Sequence, residues 1–316
     1  MYPRLSDVFQ DLFGFQLPFP IYSFGAMVAL GVLTAAWLLG RELDRLYADR
    51  RIASVRVPVE EKGKAKRMVD TSPSAIVGTV SVVAVVAGFL GAKVFHILEN
   101  LTPFLQDPIG MVFNTGGFTF YGGLIAGTFA VAWYVRQKGL SVALFADAIA
   151  PGLMTGYGIG RIGCHLAGDG DWGIAANLAA RPDWLPMWLW AETYPRNILN
   201  EDLAAAPVYP TPLYEFMLCG VFFVLLWSLR KHPFQAGWLF GLYLVFNGLE
   251  RFLIELIRVN NVGLFLGIAA TQAQVISVVL MVLGVVILVR TGRRRAGAAT
   301  GKPVTATSVQ AGLPTS

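Results

Sequence analysis

Residues 143–163 read ALFADAIAPGLMTGYGIGRIG, a stretch long and apolar enough to cross a bilayer, yet carrying Arg161 near its end. About 20 predominantly apolar residues span the hydrocarbon core as a helix. A guanidinium placed there costs at least about 2.5–3.5 kcal/mol on insertion scales, and it stays protonated, so it cannot escape that cost by neutralising. Arg251 poses the same problem in the apolar stretch 236–257. Both imply an anionic partner. The abundant anion of a membrane is a lipid phosphate, whose oxygens match a planar fork of N–H donors. The plainer reading is internal ion pairing: Arg161 with Glu215 or Asp169, and Arg251, Glu255 and Arg258 as an interhelical network.

Composition agrees with a membrane chain. Hydrophobic residues make up 55% and charged residues 14%, against about 25% charged in soluble domains. Seven stretches are candidate spans, near 20–40, 75–98, 117–136, 143–163, 213–230, 236–257 and 269–290. The expected fold is therefore an all-α polytopic integral membrane protein with seven transmembrane helices. Residues 1–19 form an N-terminal segment without a cleavage-site pattern, so it does not read as a cleaved signal peptide. Residues 20–290 form the membrane domain, and 291–316 a basic and then disordered tail, polar and poor in large apolar residues from 296 onward.

Basic residues orient the spans. Nine lie in 41–74, and Arg136, Lys138, Arg230, Lys231, Arg290, Arg293, Arg294, Arg295 and Lys302 bring the total on that side to 18; the other side carries Arg4, Arg181, Arg196 and Arg258. The positive-inside rule makes 41–74 a cytoplasmic loop and turns 164–212 outward as a small head, rich in tryptophan (Trp172, Trp184, Trp188, Trp190). The net charge of +5 is then a topology signal and not a nucleic-acid footprint. Cys164 and Cys219, the two cysteines, offer no outward-facing pair for a disulfide.

Gly158, Gly160 and Gly163 fit G-x-G-x-x-G, but no strand precedes them, so the dinucleotide reading fails. Gly152, Gly156, Gly160 and Gly163 instead form a small-residue stripe, which suits close helix packing. The remaining unusual residues gather toward one half of the membrane: Tyr22, Tyr121, Arg161, His165, Tyr214, Glu215, Arg251, Glu255 and Arg258. The last three, at offsets of 0, 4 and 7, are expected on one helix face.

These strings carry a resemblance. Phe120-Tyr121-Gly122-Gly123-Leu124-Ile125, Gly160-Arg161-Ile162-Gly163 with Asp169 behind it, Tyr209-Pro210-Thr211-Pro212-Leu213-Tyr214-Glu215, and Arg251 to Arg258 stand in the order and spacing of prolipoprotein diacylglyceryl transferases. Ile21-Tyr22-Ser23-Phe24-Gly25 and Gln272-Ala273-Gln274 are similar too. The resemblance implies a multi-pass protein of the bacterial plasma (inner) membrane with its active site on the outer, periplasmic side. Its partners would be phosphatidylglycerol, lipobox-containing preprolipoproteins and the bilayer, with no metal or diffusible cofactor. It implies Arg161, Arg251 and Tyr121 as catalytic residues and Tyr22, Gly122, Gly123, Asp169, Tyr214, Glu215, Glu255 and Arg258 as substrate-binding ones. His165 is a possible base.

The chain departs from the family pattern at Tyr121, where the family has histidine, and at Cys164, Ala167 and Asp169, where it has two asparagines and a glutamate. A phenol with a reference pKa of about 10 is a poor base at neutral pH. Arginines can instead lower the substrate thiol toward neutrality. Two other classes stand beside the enzyme: a catalytically silent lipid- or lipoprotein-binding paralogue, and a transporter. A transporter favours a midplane site and an internal repeat, and the sequence has neither.

Overall fold

A computed structural model describes residues 1–15, 18–59, 67–114, 116–259, 262–265 and 268–293. Lys62, Lys64 and Lys66 of the basic loop and the tail from 294 onward lie outside the described residues. The described chain is mostly helical. A short amphipathic helix α1 (Leu5–Phe13) precedes α2 (Ser23–Ala48), a hairpin of β1 (Val55–Val59) and β2 (Arg67–Thr71), and α3 (Val77–Glu99). Two short helices, α4 (Leu101–Gln106) and α5 (Pro108–Phe113), lead to α6 (Phe120–Gln137) and α7 (Val142–Ala167). The head holds the single turn α8 (Met187–Trp190); α9 (Thr211–Leu229), α10 (Trp238–Glu255), the hairpin β3 (Val262–Phe265) and β4 (Ile268–Thr271), and α11 (Gln272–Thr291) follow.

Five helical stretches are long and apolar enough to cross a membrane: Ser23–Ala48, Pro73–Glu99, Val142–Ala167, Thr211–Leu229 and Gln272–Thr291. Large apolar side chains such as Leu33, Val82, Phe129, Trp133 and Val289 are exposed on the bundle's outside. In water that surface would drive aggregation, whereas in a bilayer it meets lipid.

Small residues set the helix pairs. In the α2–α7 pair a Cβ built on Gly31 would come within 2.8 Å of the Gly156 carbonyl oxygen, so the two backbones touch there. Gly152 packs on Ala35 and Gly163 on Phe24 and Met27, an antiparallel register. The expected stripe thus serves α2 at three of its four members, while Gly160 has open space around it. In the same way α6 crosses α3 at Gly122 on Gly91 and Gly123 on Gly88, and α10 crosses α11 at Gly241 on Gly284 and Gly248 on Ser277. Without a hydrophobic force between helices in lipid, such close approach supplies the packing.

At the hairpin end, Leu39, Leu43, Leu46, Val77, Val80, Val135, Leu144 and Phe145 make one apolar cluster joining α2, α3, α6 and α7. A second cluster around Met154, Cys219, Phe222, Leu226 and Leu239 joins α7, α9 and α10. α2 continues to Ala48, past residue 41 where the basic segment is expected to start. Leu43 and Leu46 are buried there, and Arg45 pairs with Glu42 and Asp49 at helical spacing. Gln274, quoted above for its likeness, closes a reciprocal cap with Thr271 at the start of α11.

Candidate active site

Arg161 lies in the last two turns of α7, and Ser141, whose hydroxyl accepts from the Leu144 N–H, opens that helix at the far end. Glu215 stands in the first turns of α9, which Pro212 starts and where a missing N–H costs nothing. Arg251 and Glu255 are one turn apart near the end of α10. Glu215 is fully buried and bridges the two arginines: Arg161 Nε lies 2.7 Å from its Oε2 and Arg251 Nη1 lies 3.3 Å from its Oε1. Arg251 Nη2 is 3.4 Å from Glu255. The two guanidinium groups that the sequence places in separate apolar stretches are thus neighbours.

Asp171 extends the array. After α7 the chain reverses at Gly168 (φ 60°) and Gly170 (φ 94°), a left-handed conformation that side chains disfavour. It then threads between the segment before α9 and the residues after α10: Gly173 N–H donates to Tyr209 O at 2.9 Å and Ile174 N–H to Ile257 O at 2.8 Å. The Thr211 hydroxyl donates to Asp171 O at 2.5 Å. This clip sets the Asp171 carboxylate between Arg161 Nη1 and Arg258 Nη2, each in direct contact. Six charges therefore alternate in sign along Glu255, Arg251, Glu215, Arg161, Asp171 and Arg258, and they cancel.

Each nitrogen of Arg161 has its own neighbour. Nε faces Glu215, Nη1 faces Asp171, and Nη2 donates to the Tyr157 hydroxyl at 2.9 Å, with the guanidinium 4.9 Å from that ring's centroid. Cys164 Sγ is 3.9 Å from Nη1. Burial first, then the charge of Arg161, holds Arg258 below its ordinary pKa.

Two expectations change. Arg258 does not share a helix face with Arg251 and Glu255, because α10 ends at Glu255 and Arg258 has turned out to bridge Gly173. The acid that meets Arg161 from the turn after α7 is Asp171; Asp169 instead accepts from the Asp171 N–H at 3.4 Å. Cys164, Asp169 and Asp171 bring their ligand atoms within 4.8 Å of one another. A metal ion there would have to compete with the two guanidinium groups on Asp171, so the donor set does not fit one well.

The other named residues stay apart from the array. Tyr121 packs edge-on to Phe120 and makes no hydrogen bond among the described residues. Gly122 and Gly123 serve the α3 crossing. Tyr22 starts α2, pairs its backbone with Arg4 and lies under that guanidinium at 5.8 Å. His165 Nδ1 meets the hydroxyl of Tyr194, 3.1 Å away, whose phenol burial pushes well above its usual range. The Tyr214 hydroxyl donates to Leu189 O at 2.7 Å, tying the head to α9. Asp171, Tyr157 and Glu250 were absent from the sequence-derived set. Tyr157 carries a readable signal, its i−4 spacing from Arg161.

Comparison with known proteins follows the same line. A family model described as prolipoprotein diacylglyceryl transferase matches residues 11–290. A protein of Stenotrophomonas maltophilia named phosphatidylglycerol–prolipoprotein diacylglyceryl transferase is 31% identical over 290 residues, covering 87% of this chain and 90% of that one. Proteins of the same name from Corynebacterium diphtheriae (30%, 81% of this chain, 92% of the relative) and Clostridium tetani (27%, 89% and 96%) are similar over comparable spans.

Proposed function

Because the chain belongs to the prolipoprotein diacylglyceryl transferase family, we propose that it transfers the diacylglyceryl group of phosphatidylglycerol to the lipobox cysteine of preprolipoproteins, the first step of bacterial lipoprotein maturation. The observation that carries this reading to residues is the convergence of Arg161 and Arg251 on Glu215. In the reaction, sulfur bonds to the diacylglyceryl carbon as that carbon's bond to the phosphate oxygen breaks. Glycerol 1-phosphate leaves as a dianion, and the thiol proton is released.

The demand on the protein is to meet negative charge growing on phosphate. Arginines fixed in advance by internal carboxylates do so without reorganising during the reaction, which is commonly the largest catalytic contribution. Asp171, between Arg161 and Arg258, occupies a position that a phosphate oxygen would share with the same donors. In this reading Arg161 and Arg251 bind the phosphate, while Glu215, Glu255, Asp169 and Arg258 shape the charged floor. Tyr22, Tyr121, Gly122, Gly123 and Tyr214 lie at the same end of the bundle. His165 is engaged by Tyr194, so thiol activation falls to the arginine field.

The reading includes seven spans, with α6 and α10 added to the five apolar stretches. Each has 18 residues, and the antiparallel pairing of α2 with α7, α3 with α6 and α10 with α11 supports an alternating path. The head, 164–212, and the charge array then face the periplasm, and the hairpin end faces the cytoplasm, as the distribution of basic residues requires. Cysteines engineered into each connection and labelled on intact cells by an impermeant thiol reagent test this. Labelling confined to the β1–β2 connection would reverse the orientation. For the activity, the chain should restore growth to a bacterium depleted of its own transferase, and failure of a well-expressed chain would count against it.

A further inference from the structure

Three acids and three arginines cancel in the array, which leaves no net charge to draw in a further anion. A phosphate that is to reach the guanidinium groups must take the place of one of the acids. Two of the three are sealed: the side chains of Glu215 and Glu255 have no exposed surface, whereas that of Asp171 is 26% exposed. The place of Asp171 in the chain is fixed by backbone bonds. Its carbonyl oxygen accepts from the Thr211 hydroxyl, its N–H donates to Asp169, and Gly173, two residues on, is fastened to Tyr209. Rotation of the short side chain toward water therefore leaves the clip intact. Beside it, Nη1 of Arg258 is buried and has no hydrogen-bond partner among the described residues, a costly condition that an arriving acceptor would relieve.

We propose that Asp171 is an exchangeable stand-in for the phosphate of the lipid substrate. Between turnovers it holds Arg161 and Arg258; it turns out to water as a phosphate enters, and it returns to the two guanidinium groups as glycerol 1-phosphate leaves. Arg161 keeps Glu215 and Tyr157 throughout, so the exchange does not loosen it, and Arg258 Nη1 gains the acceptor it lacks. The exchange also answers a difficulty of the reaction. A dianionic product binds fixed arginines more tightly than the singly charged diester that entered, and an internal competitor for the same donors shortens its stay. Asp171 makes and breaks no covalent bond. This inference rests on the transferase reading.

The sign of one affinity change decides. Binding of labelled glycerol 1-phosphate to the purified full chain is measured by equilibrium dialysis, for wild type and Asp171→Asn. Removing the competitor should tighten binding about 10-fold or more, the scale of one charge-assisted hydrogen bond, because the binding-competent arrangement no longer has to be populated against a rival. The gain should persist in 1 M NaCl, where the screening length is about 3 Å, since the donors are in contact with the ligand. If Asp171 only braces the arginines, the asparagine variant binds the phosphate equally or more weakly, and that result overturns the proposal. A gain that vanishes in salt is a general field effect and overturns it too, as does the absence of measurable binding to either chain. Should the asparagine chain fail to fold, Asp171→Ala decides by the same sign. If neither folds the proposal falls, because a carboxylate that steps aside in every turnover cannot be what holds the site together. Tighter binding in a chain whose wild type transfers nothing to a lipobox peptide would strike the transferase reading and leave the exchange standing.

Discussion

Two arginine clusters stand at opposite ends of this bundle, and they are built differently. At the β1–β2 hairpin end Glu42 meets Arg45 three residues along the same helix, Arg45 meets Asp49 one turn further, and Arg230 joins at 3.6 Å with its guanidinium 4.0 Å from the Trp227 ring. Three of its four charged members belong to α2 and its C-cap, and Asp49 there is half exposed. At the opposite end the charges come from α7, the turn after it, α9, α10 and the residue Arg258 beyond α10, and the acid at the centre, Glu215, has no solvent contact. A cluster of local pairs near water is a staple that fastens helix ends. A cluster assembled from separate segments around a sealed carboxylate is expensive to make, and the expense is intelligible when the cations serve a reaction.

Breaking the cluster around Glu215 should give the largest effect. Arg161→Ala and Arg251→Ala are each expected to lower transfer of labelled diacylglyceryl to a lipobox peptide by at least ~10²-fold, the scale of losing a fixed donor to developing charge. Near-wild-type turnover in either variant would remove that arginine from the chemistry and erase the contrast.

Tyr121 sharpens the comparison because it lies at the same end of the bundle as Glu215 yet outside the array. Tyr121→Phe should slow transfer only by the worth of one hydrogen bond, ~0.5–1.5 kcal/mol or roughly 2- to 12-fold. A loss of ~10²-fold or more is the mark of a general base. Activity that emerges only in Tyr121→His would favour the silent-paralogue reading.

The smallest effect is expected at the staple on the hairpin end. Arg230→Ala removes a pair near the surface, worth about 1 kcal/mol at most, and should leave transfer within about twofold while modestly lowering the detergent-solubilised chain's unfolding temperature. A large drop in turnover with folding intact would show that the two ends are coupled.

Much of this was legible in the sequence for a physical reason. Apolar stretches of bilayer length announce helices, and Arg161, Arg251 and Glu215 stand out because charge in hydrocarbon is costly. The rule that selects Arg251 applies equally to Glu250, but a neighbour in sequence points about 100° away on a helix, so it fell off the face traced through offsets 0, 4 and 7. That face itself failed at Arg258, since periodicity does not say where a helix ends; α10 stops at Glu255 and the chain turns to bridge Gly173. Asp171 was hidden for another reason. Its place depends on a reversal through Gly168 and Gly170 and on a backbone clip to residues 209 and 257, and neither pairing has a local pattern.

The central claim is that a guanidinium held from three sides is the working part of this site. Its most direct measurement is the rate at which purified Arg161→Lys, beside wild type, transfers labelled diacylglyceryl from phosphatidylglycerol to a lipobox peptide. An ammonium keeps the charge but cannot offer separate nitrogens in a fixed plane to Glu215, Asp171 and Tyr157. Transfer by wild type with at least a ~10-fold loss in the lysine variant, about 1.4 kcal/mol of barrier, is the predicted result. A lysine variant that works at the wild-type rate would contradict it.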